Sequence, residues 1–273
     1  MTAGEQDPDQ EVQYHLKLHD GDVAPTVLLP GDPGRVDLIT EGWDAAETLA
    51  DNREYRTATG TAHGTPLSVT STGIGGPSAA IAVEELARVG ANTLLRVGSC
   101  GAVQPEMSLG DLVITSGAVR QEGTTQEYVR EDYPAVADER VVAALVAAAE
   151  KLGHDYHVGL TLSTDAFYAG QARQGFGGYE ASGTAELLNE LRETNVKNIE
   201  MEAATVLTLA TLYGLRAGAV CTVFAERTTG EFQTTGERTA AETATLAASI
   251  LAKMDERTEA AGADRWHPGL GPV

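Results

Sequence analysis

The chain has 273 residues, 42% of them hydrophobic, enough for one large α/β domain or two small ones, and no linker-like stretch divides it. With 40 acidic residues against 19 basic the formal net charge is −21, which argues against nucleic acid or an anionic membrane as partner. Only Lys17, Lys151, Lys197 and Lys253 are lysines. A surface this acidic and lysine-poor points to a salt-adapted cytoplasmic protein, because in molar salt the Debye length shrinks to about 3 Å and hydrated carboxylates keep the surface wet.

Residues 1–13 are polar and acidic and predict a disordered lead with no signal peptide; no long apolar span occurs anywhere. His15 lies in the short alternating stretch Tyr14–Leu18, which by itself assigns it nothing. Thr26–Leu29 reads as a buried strand ending in Pro30-Gly31-Asp32-Pro33-Gly34-Arg35. A Gly/Pro turn into a helix start offers N–H donors to an anion, with Arg35 beside them; a tight turn with a solvated arginine fits equally well.

The stretch from Val69 to Ile114 organises the chain. An apolar run ends in Ser71-Thr72 and opens into Gly73-Ile74-Gly75-Gly76-Pro77-Ser78. A helix over Pro77–Val89 follows, with proline favourably near its start, and a second apolar run stops at Arg96-Val97-Gly98-Ser99-Cys100-Gly101. Strand, loop, helix, strand makes a right-handed βαβ crossover that brings two Gly-rich strand ends to one sheet edge, where open α/β sheets bind ligands. Glycines let backbone N–H groups approach an anion, and Arg96 adds a positive fork beside the Ser99 hydroxyl. The dinucleotide pattern G-x-G-x-x-G fails at its last position, occupied by Ser78. A turn needing positive φ explains the same glycines.

Asp111–Ile114 and Ala118–Gln121 read as further strands. Asp138 N-caps a helix whose stripe Val141, Val142, Leu145, Val146, Ala149 and Leu152 is core. A strand over His157–Leu162 leads to Ser163–Arg173, where Gln171 and Arg173 stand two positions apart near Phe167 and Tyr168. A carboxamide and a guanidinium beside an aromatic can read a flat heterocycle; a polar surface loop is the plainer reading. Gly175–Gly183 is a candidate mobile flap, and a helix runs from about Thr184 to Thr194. Asn198-Ile199-Glu200-Met201-Glu202 then runs as a strand straight into a helix, and two carboxylates at such a junction require partners. Arg216–Phe224 is an apolar strand ending in Ala225-Glu226-Arg227, and a last helix spans about Thr239 to Glu256. Cys100 and Cys221 form no C-x-x-C pair and are expected as reduced thiols.

The octapeptide Ser71–Ser78, the run Arg96–Pro105 and the preceding Pro30–Arg35, in that order, closely resemble bacterial uridine phosphorylases within the nucleoside phosphorylase I superfamily. The resemblance covers about Tyr14 to Lys253. It implies an α/β fold: a single-domain three-layer αβα sandwich with a central mixed, partly barrel-like sheet, the domain spanning 14–258 and a tail 259–273. It further implies phosphate binding by Gly31, Arg35, Arg53, Arg96 and Ser99, with Arg53 donated across a dimer interface. Ribose would be held by Glu200, Met201, Glu202 and a neighbouring subunit's His15, and the base by Phe167, Gln171, Arg173, Glu226 and Arg227. Arg96, Arg35 and Arg227 are the implied catalytic groups. Matching enzymes bind a monovalent cation at positions aligned with Glu54, Ile74 and Ser78, which predicts a structural potassium ion here. A surface glutamate and two loop residues is the plainer reading of those three. No cofactor is implied beyond phosphate as co-substrate, and the assembly implied is a homo-hexamer, a trimer of dimers.

Four positions depart from the pattern: Ala169 replaces proline, Glu226 replaces asparagine, and Phe224-Ala225 replaces two aliphatic residues. The expected activity is phosphate-dependent cleavage of a ribonucleoside to free base and ribose 1-phosphate. Uridine comes first. Guanosine comes second, because a Glu226 carboxylate suits the paired N1 and N2 donors of guanine. A nucleosidase using water would not need three arginines, and a non-catalytic nucleotide-binding module would not need Glu202 or the Gln171/Arg173 pair.

Overall fold

The computed structural model describes residues 12–271, so all but the last two positions of the expected acidic lead lie outside the described residues. The chain begins with β1 (Thr26–Pro30), α1 (Gly34–Thr40), β2 (Ala45–Asn52), β3 (Tyr55–Ala62), β4 (Thr65–Thr70) and α2 (Gly76–Arg88). It continues with β5 (Thr93–Ala102), β6 (Leu112–Gln121), β7 (Ala135–Val136), α3 (Glu139–Leu152) and β8 (Tyr156–Thr164). The last elements are α4 (Thr184–Glu193), β9 (Val196–Glu200), α5 (Ala203–Leu212), β10 (Arg216–Glu226) and α6 (Glu237–Ala260).

One mixed sheet joins these strands in the order β10-β6-β8-β9-β5-β1-β4-β3-β2, and β10 also pairs with β5. That extra pairing closes β5, β10, β6, β8 and β9 into a five-stranded barrel, from which β1, β4, β3 and β2 extend as an open wing. Burial on both faces explains the continuous apolar runs. In β1, Val27 and Leu29 pack on the side of α2 and α5, while Leu28 joins the core beneath α1, α3 and α6. The result is the expected three-layer αβα arrangement around a partly closed sheet.

The crossover from β4 through α2 to β5 passes over β1, which lies between the two strands and pairs parallel with both. The two strand ends thus meet through β1. A Cβ added to Gly31 would lie 3.2 Å from the Gly73 carbonyl oxygen, so the loops after β1 and β4 touch.

Two strands expected at 111–114 and 118–121 are one, β6, with its register against β8 shifted between Thr115 and Gly117. The polar, small pair Ser116-Gly117 breaks the apolar pattern because it forms a β-bulge, a bend that helps close the barrel. The β2–β3 hairpin escaped the sequence reading, since β2 is an exposed edge strand with no apolar alternation. Asp138 does cap α3, accepting from the Arg140 and Val141 backbone N–H groups. The last helix runs to Ala260, and Trp266 beyond it packs against the α3–α6 core. Among the described residues no helix is long and apolar enough to cross a membrane.

Candidate active site

The carboxyl ends of β1, β4, β5 and β9 open into a cavity of about 690 Å³. Its lining brings together residues from distant parts of the sequence: Gly31 and Arg35, Gly73 and Ile74, Arg96 and Ser99, Phe167, Gln171 and Arg173, and Glu200 to Glu202.

At one end lies an arginine on β5. Arg96 is 4% exposed and its Nε donates to Glu200 Oε2 at 2.6 Å, while Nη2 lies 2.5 Å from Glu202 Oε2. Its guanidinium folds back over Gly98, the next residue on the same strand face. A Cβ on Gly98 would lie 2.8 Å from Arg96 Nη2 and 2.8 Å from Cys221 Sγ. A side chain there would force the buried guanidinium or the thiol to shift. Burial opposes the Arg96 charge, but Glu202 and Glu200 outweigh it and hold the group above its ordinary value.

Glu200 and Glu202 answer the question of why two carboxylates stand at a strand-to-helix junction. Glu200 accepts from Ser163 Oγ, from Arg96 Nε and from the backbone N–H groups of Glu202 and Ala203, so it closes the start of α5 as a side-chain anchor. Its lone pairs are committed, and the ribose contact expected of it is not what this geometry offers. Glu202 accepts from the Gly75 backbone N–H at 2.5 Å, which ties α5 to the loop after β4. Burial pushes the Glu202 carboxyl up, with Arg96 pulling against that.

Arg35 lines the same end, its Nε and Nη2 donating to Glu237 Oε1 at 3.2 and 2.8 Å and its guanidinium 5.5 Å from the Phe224 ring. The Phe224 departure from the aliphatic pattern thus gives Arg35 an aromatic face to rest on. Arg53 and His15 do not line this chain's own cavity. Arg53 is exposed at a positive-φ turn beside the Tyr14 ring, and His15 Nδ1 pairs with Glu85 Oε1 at 2.7 Å. Glu54 and Ile74 line the cavity, and Ser78 Oγ donates to the Ile74 carbonyl at 3.1 Å. Gly73 packs between Glu54 and Ser78, so these three oxygen-bearing residues do cluster. Among the described residues no group of three His, Cys, Asp or Glu side chains is placed to hold a metal ion.

At the other end, Arg173 stacks with its guanidinium carbon 4.5 Å from the Phe167 ring centre, and Gln171 is buried beside it. Arg227 does not line the cavity but stands behind it, donating from Nη2 to the carbonyls of Gln171 and Ala172 at 2.8 and 3.0 Å. Burial, with Arg173 next, brings Arg227 down to about 10. Buried Nε groups of both Arg173 and Arg227 have no partner among the described residues. Two desolvated guanidiniums with spare donors suit a group that carries carbonyls or gains negative charge. Glu226 is turned away: its carboxylate accepts from the Leu109 N–H and from Thr229 Oγ1.

Phe232, which nothing in the sequence marks, and Cys100 also line the cavity. Phe232 arrives because the segment after β10 folds back to form an isolated bridge with Ala225. Cys100 and Cys221 are free, and burial pushes both thiols up, Cys221 to about 12, so they are inert filler.

Residues 25–252 match the family model described as the phosphorylase superfamily. A uridine phosphorylase from Thermococcus kodakarensis is 56% identical over 270 residues, covering 99% of this chain and 98% of that protein. A guanosine phosphorylase from Halorubrum lacusprofundi is 47% identical over 211 residues, 77% of this chain and 82% of the relative. The uridine phosphorylase of Escherichia coli is 42% identical over 221 residues, 80% of this chain and 87% of the relative. With a family model over most of its length, an arginine–glutamate cluster at one end of the cavity and a carboxamide–guanidinium pair at the other, this chain is a uridine phosphorylase-like member of the phosphorylase superfamily.

Proposed function

We propose that the protein is a pentosyltransferase that cleaves uridine with phosphate, giving uracil and ribose 1-phosphate. The observation that carries this reading is that one cavity is lined both by the Arg35–Arg96–Glu202 cluster and by Phe167, Gln171 and Arg173, with Met201 beside Glu202. Phosphate, held by Gly31, Arg35, Arg96 and Ser99, attacks C1′ as the C1′–N1 bond breaks. The electron pair leaves with the base, and Gln171 and Arg173, backed by Arg227, stabilise the charge that develops on its carbonyls. Catalysis rests on alignment of the two reactants and on preorganised donors, and no nucleophilic side chain is required.

Glu202 accepts from the ribose 2′- and 3′-hydroxyls with Met201 packed beneath, and Phe167 lies against base and sugar. His15 and Arg53 complete the site of a neighbouring subunit, which fits their absence from their own chain's cavity and a hexamer built from dimers. Glu54, the Ile74 carbonyl and Ser78 offer oxygen donors suited to a potassium ion that supports the loop between two subunits. The acidic surface suits a cytoplasm rich in salt.

Guanosine is the second reading, favoured by the similarity to a guanosine phosphorylase. It needs a carboxylate facing the guanine N1 and N2 donors, and Glu226 faces Leu109 and Thr229 instead. Uridine, guanosine, inosine and adenosine assayed in parallel decide the matter. The expected result is a uridine preference that survives Glu226→Asn. A guanosine preference lost in that variant would replace the first reading by the second.

A further inference from the structure

Arg96 and Glu202, the two groups expected to hold phosphate and ribose at the anion end, already hold each other. Arg96 presents Nη2 to Glu202, and Glu202 divides its two oxygens between Arg96 and the Gly75 N–H. Phosphate needs the Nη donors of Arg96, and the ribose diol needs the acceptors of Glu202. A phosphate that takes the Nη2 edge of Arg96 competes with Glu202 for it, and ribose hydroxyls that take Glu202 Oε2 compete with Arg96, so each ligand loosens the same buried ion pair for the other. Binding of the two favours each other for that reason, whichever comes first.

Parting the pair leaves a guanidinium, 4% exposed, that must not be stranded without an anion. Glu200 meets that need. It grips Nε, on the far side of the exchange, and is itself fixed by Ser163 Oγ and by the first N–H groups of α5. It cannot follow Arg96 or drift to the sugar. We propose that Glu200 is the standing counter-ion of Arg96, a positioning residue that keeps the guanidinium neutralised and aimed while its Nη2 edge passes from Glu202 to phosphate. This rests on the assignment of phosphate and ribose to the two residues of that pair.

The test is a grid of initial rates of uracil release by the full-length protein, over uridine and inorganic phosphate concentrations, for wild type and Glu200→Gln. In the wild type the KM for phosphate should fall as uridine rises, roughly 5-fold or more between low and saturating uridine. In Glu200→Gln, Arg96 has only Glu202 to lean on, so parting the pair becomes harder. Turnover should drop and the ratio of the two phosphate KM values should widen beyond that of wild type. Ser163→Ala, which loosens Glu200 without removing its charge, should widen the ratio in the same direction and serves if Glu200→Gln does not fold. A phosphate KM indifferent to uridine in the wild type would overturn the coupling. A lower turnover or melting temperature with an unchanged KM ratio in both variants would make Glu200 a purely structural anchor. Absence of any phosphate-dependent base release in the wild type would instead remove the functional assignment beneath the proposal.

Discussion

Arg96 and Glu202, 106 residues apart in sequence, lie 2.5 Å from each other at the anion end of the cavity, with both side chains almost fully buried. Neither strand β5 nor helix α5 gains from a buried charge by itself, and a buried pair is weak support for stability. The pair makes sense as two ligand-holding groups that satisfy each other until substrate takes their place. Arg96→Ala should therefore raise the KM for phosphate and lower turnover by about 10²–10³-fold, while uracil binding by itself barely changes. Initial-rate kinetics with varied phosphate read the first effect and calorimetric titration with uracil the second; wild-type phosphate kinetics would take Arg96 out of the site.

The raised Glu202 carboxyl gives a pH dependence of definite sign. If Glu202 holds the ribose hydroxyls through its ionised form, uridine binding should weaken as falling pH protonates it. Because burial raises this group above the ordinary Glu value of about 4.3, the loss sets in at a higher pH than for an exposed glutamate. Arg96 is the main influence pulling the other way, so Arg96→Ala should move the acid limb further up. Uridine titrations in phosphate-free buffer across the acid range measure both; an acid limb at the ordinary value, unmoved by the variant, contradicts the assignment.

Gly98 carries a prediction that separates packing from chemistry. An added methyl at this position meets the Arg96 guanidinium and the Cys221 sulfur, both at 2.8 Å. Gly98→Ala should cost about 1–3 kcal/mol of stability through overpacking. It should also displace the guanidinium, raising the KM for phosphate more than the KM for uridine. A melting curve and two KM values check it, and equal rises in both KM values would mean that the strand, not the arginine, has moved.

Much of this site could be read in the sequence where one residue type has one physical use. Gly31 and Gly73 stand where the loops after β1 and β4 touch, and Asp138 caps α3 because a carboxylate beside two free N–H groups does so in any fold. What stayed hidden depended on long-range pairing. The closing contact of β5 with β10 gives the barrel and cannot be seen in either strand alone. The same holds for Glu200, which reads as a second ribose ligand until Ser163 and the start of α5 are seen to occupy it. Glu226 reads as a base reader because it replaces an asparagine of the matching enzymes and its carboxylate suits the paired donors of guanine, yet in the fold it turns toward Leu109. Phe232 left no trace, since its place follows from how a polar segment folds back on Ala225.

Assembly gives the next prediction. Arg53 is exposed and outside its own cavity, whereas Glu202 lies within it. If Arg53 serves a neighbour, inactive Arg53→Ala mixed with inactive Glu202→Ala should regain activity once subunits exchange, because some sites then draw both residues from intact chains. Mass spectrometry of labelled subunits verifies exchange. Exchange without recovery would show that Arg53 acts in its own chain or not at all.

What most needs testing is that buried Arg96, with Arg35 beside it, holds phosphate as the nucleophile while Glu202 holds the ribose. Uracil release from uridine, measured by the purified protein with and without inorganic phosphate, tests it most directly. No release is expected in phosphate-free buffer and, on adding phosphate, one ribose 1-phosphate for each uracil. Release at the same rate without phosphate, with free ribose as the product, would contradict it and make the protein a hydrolase.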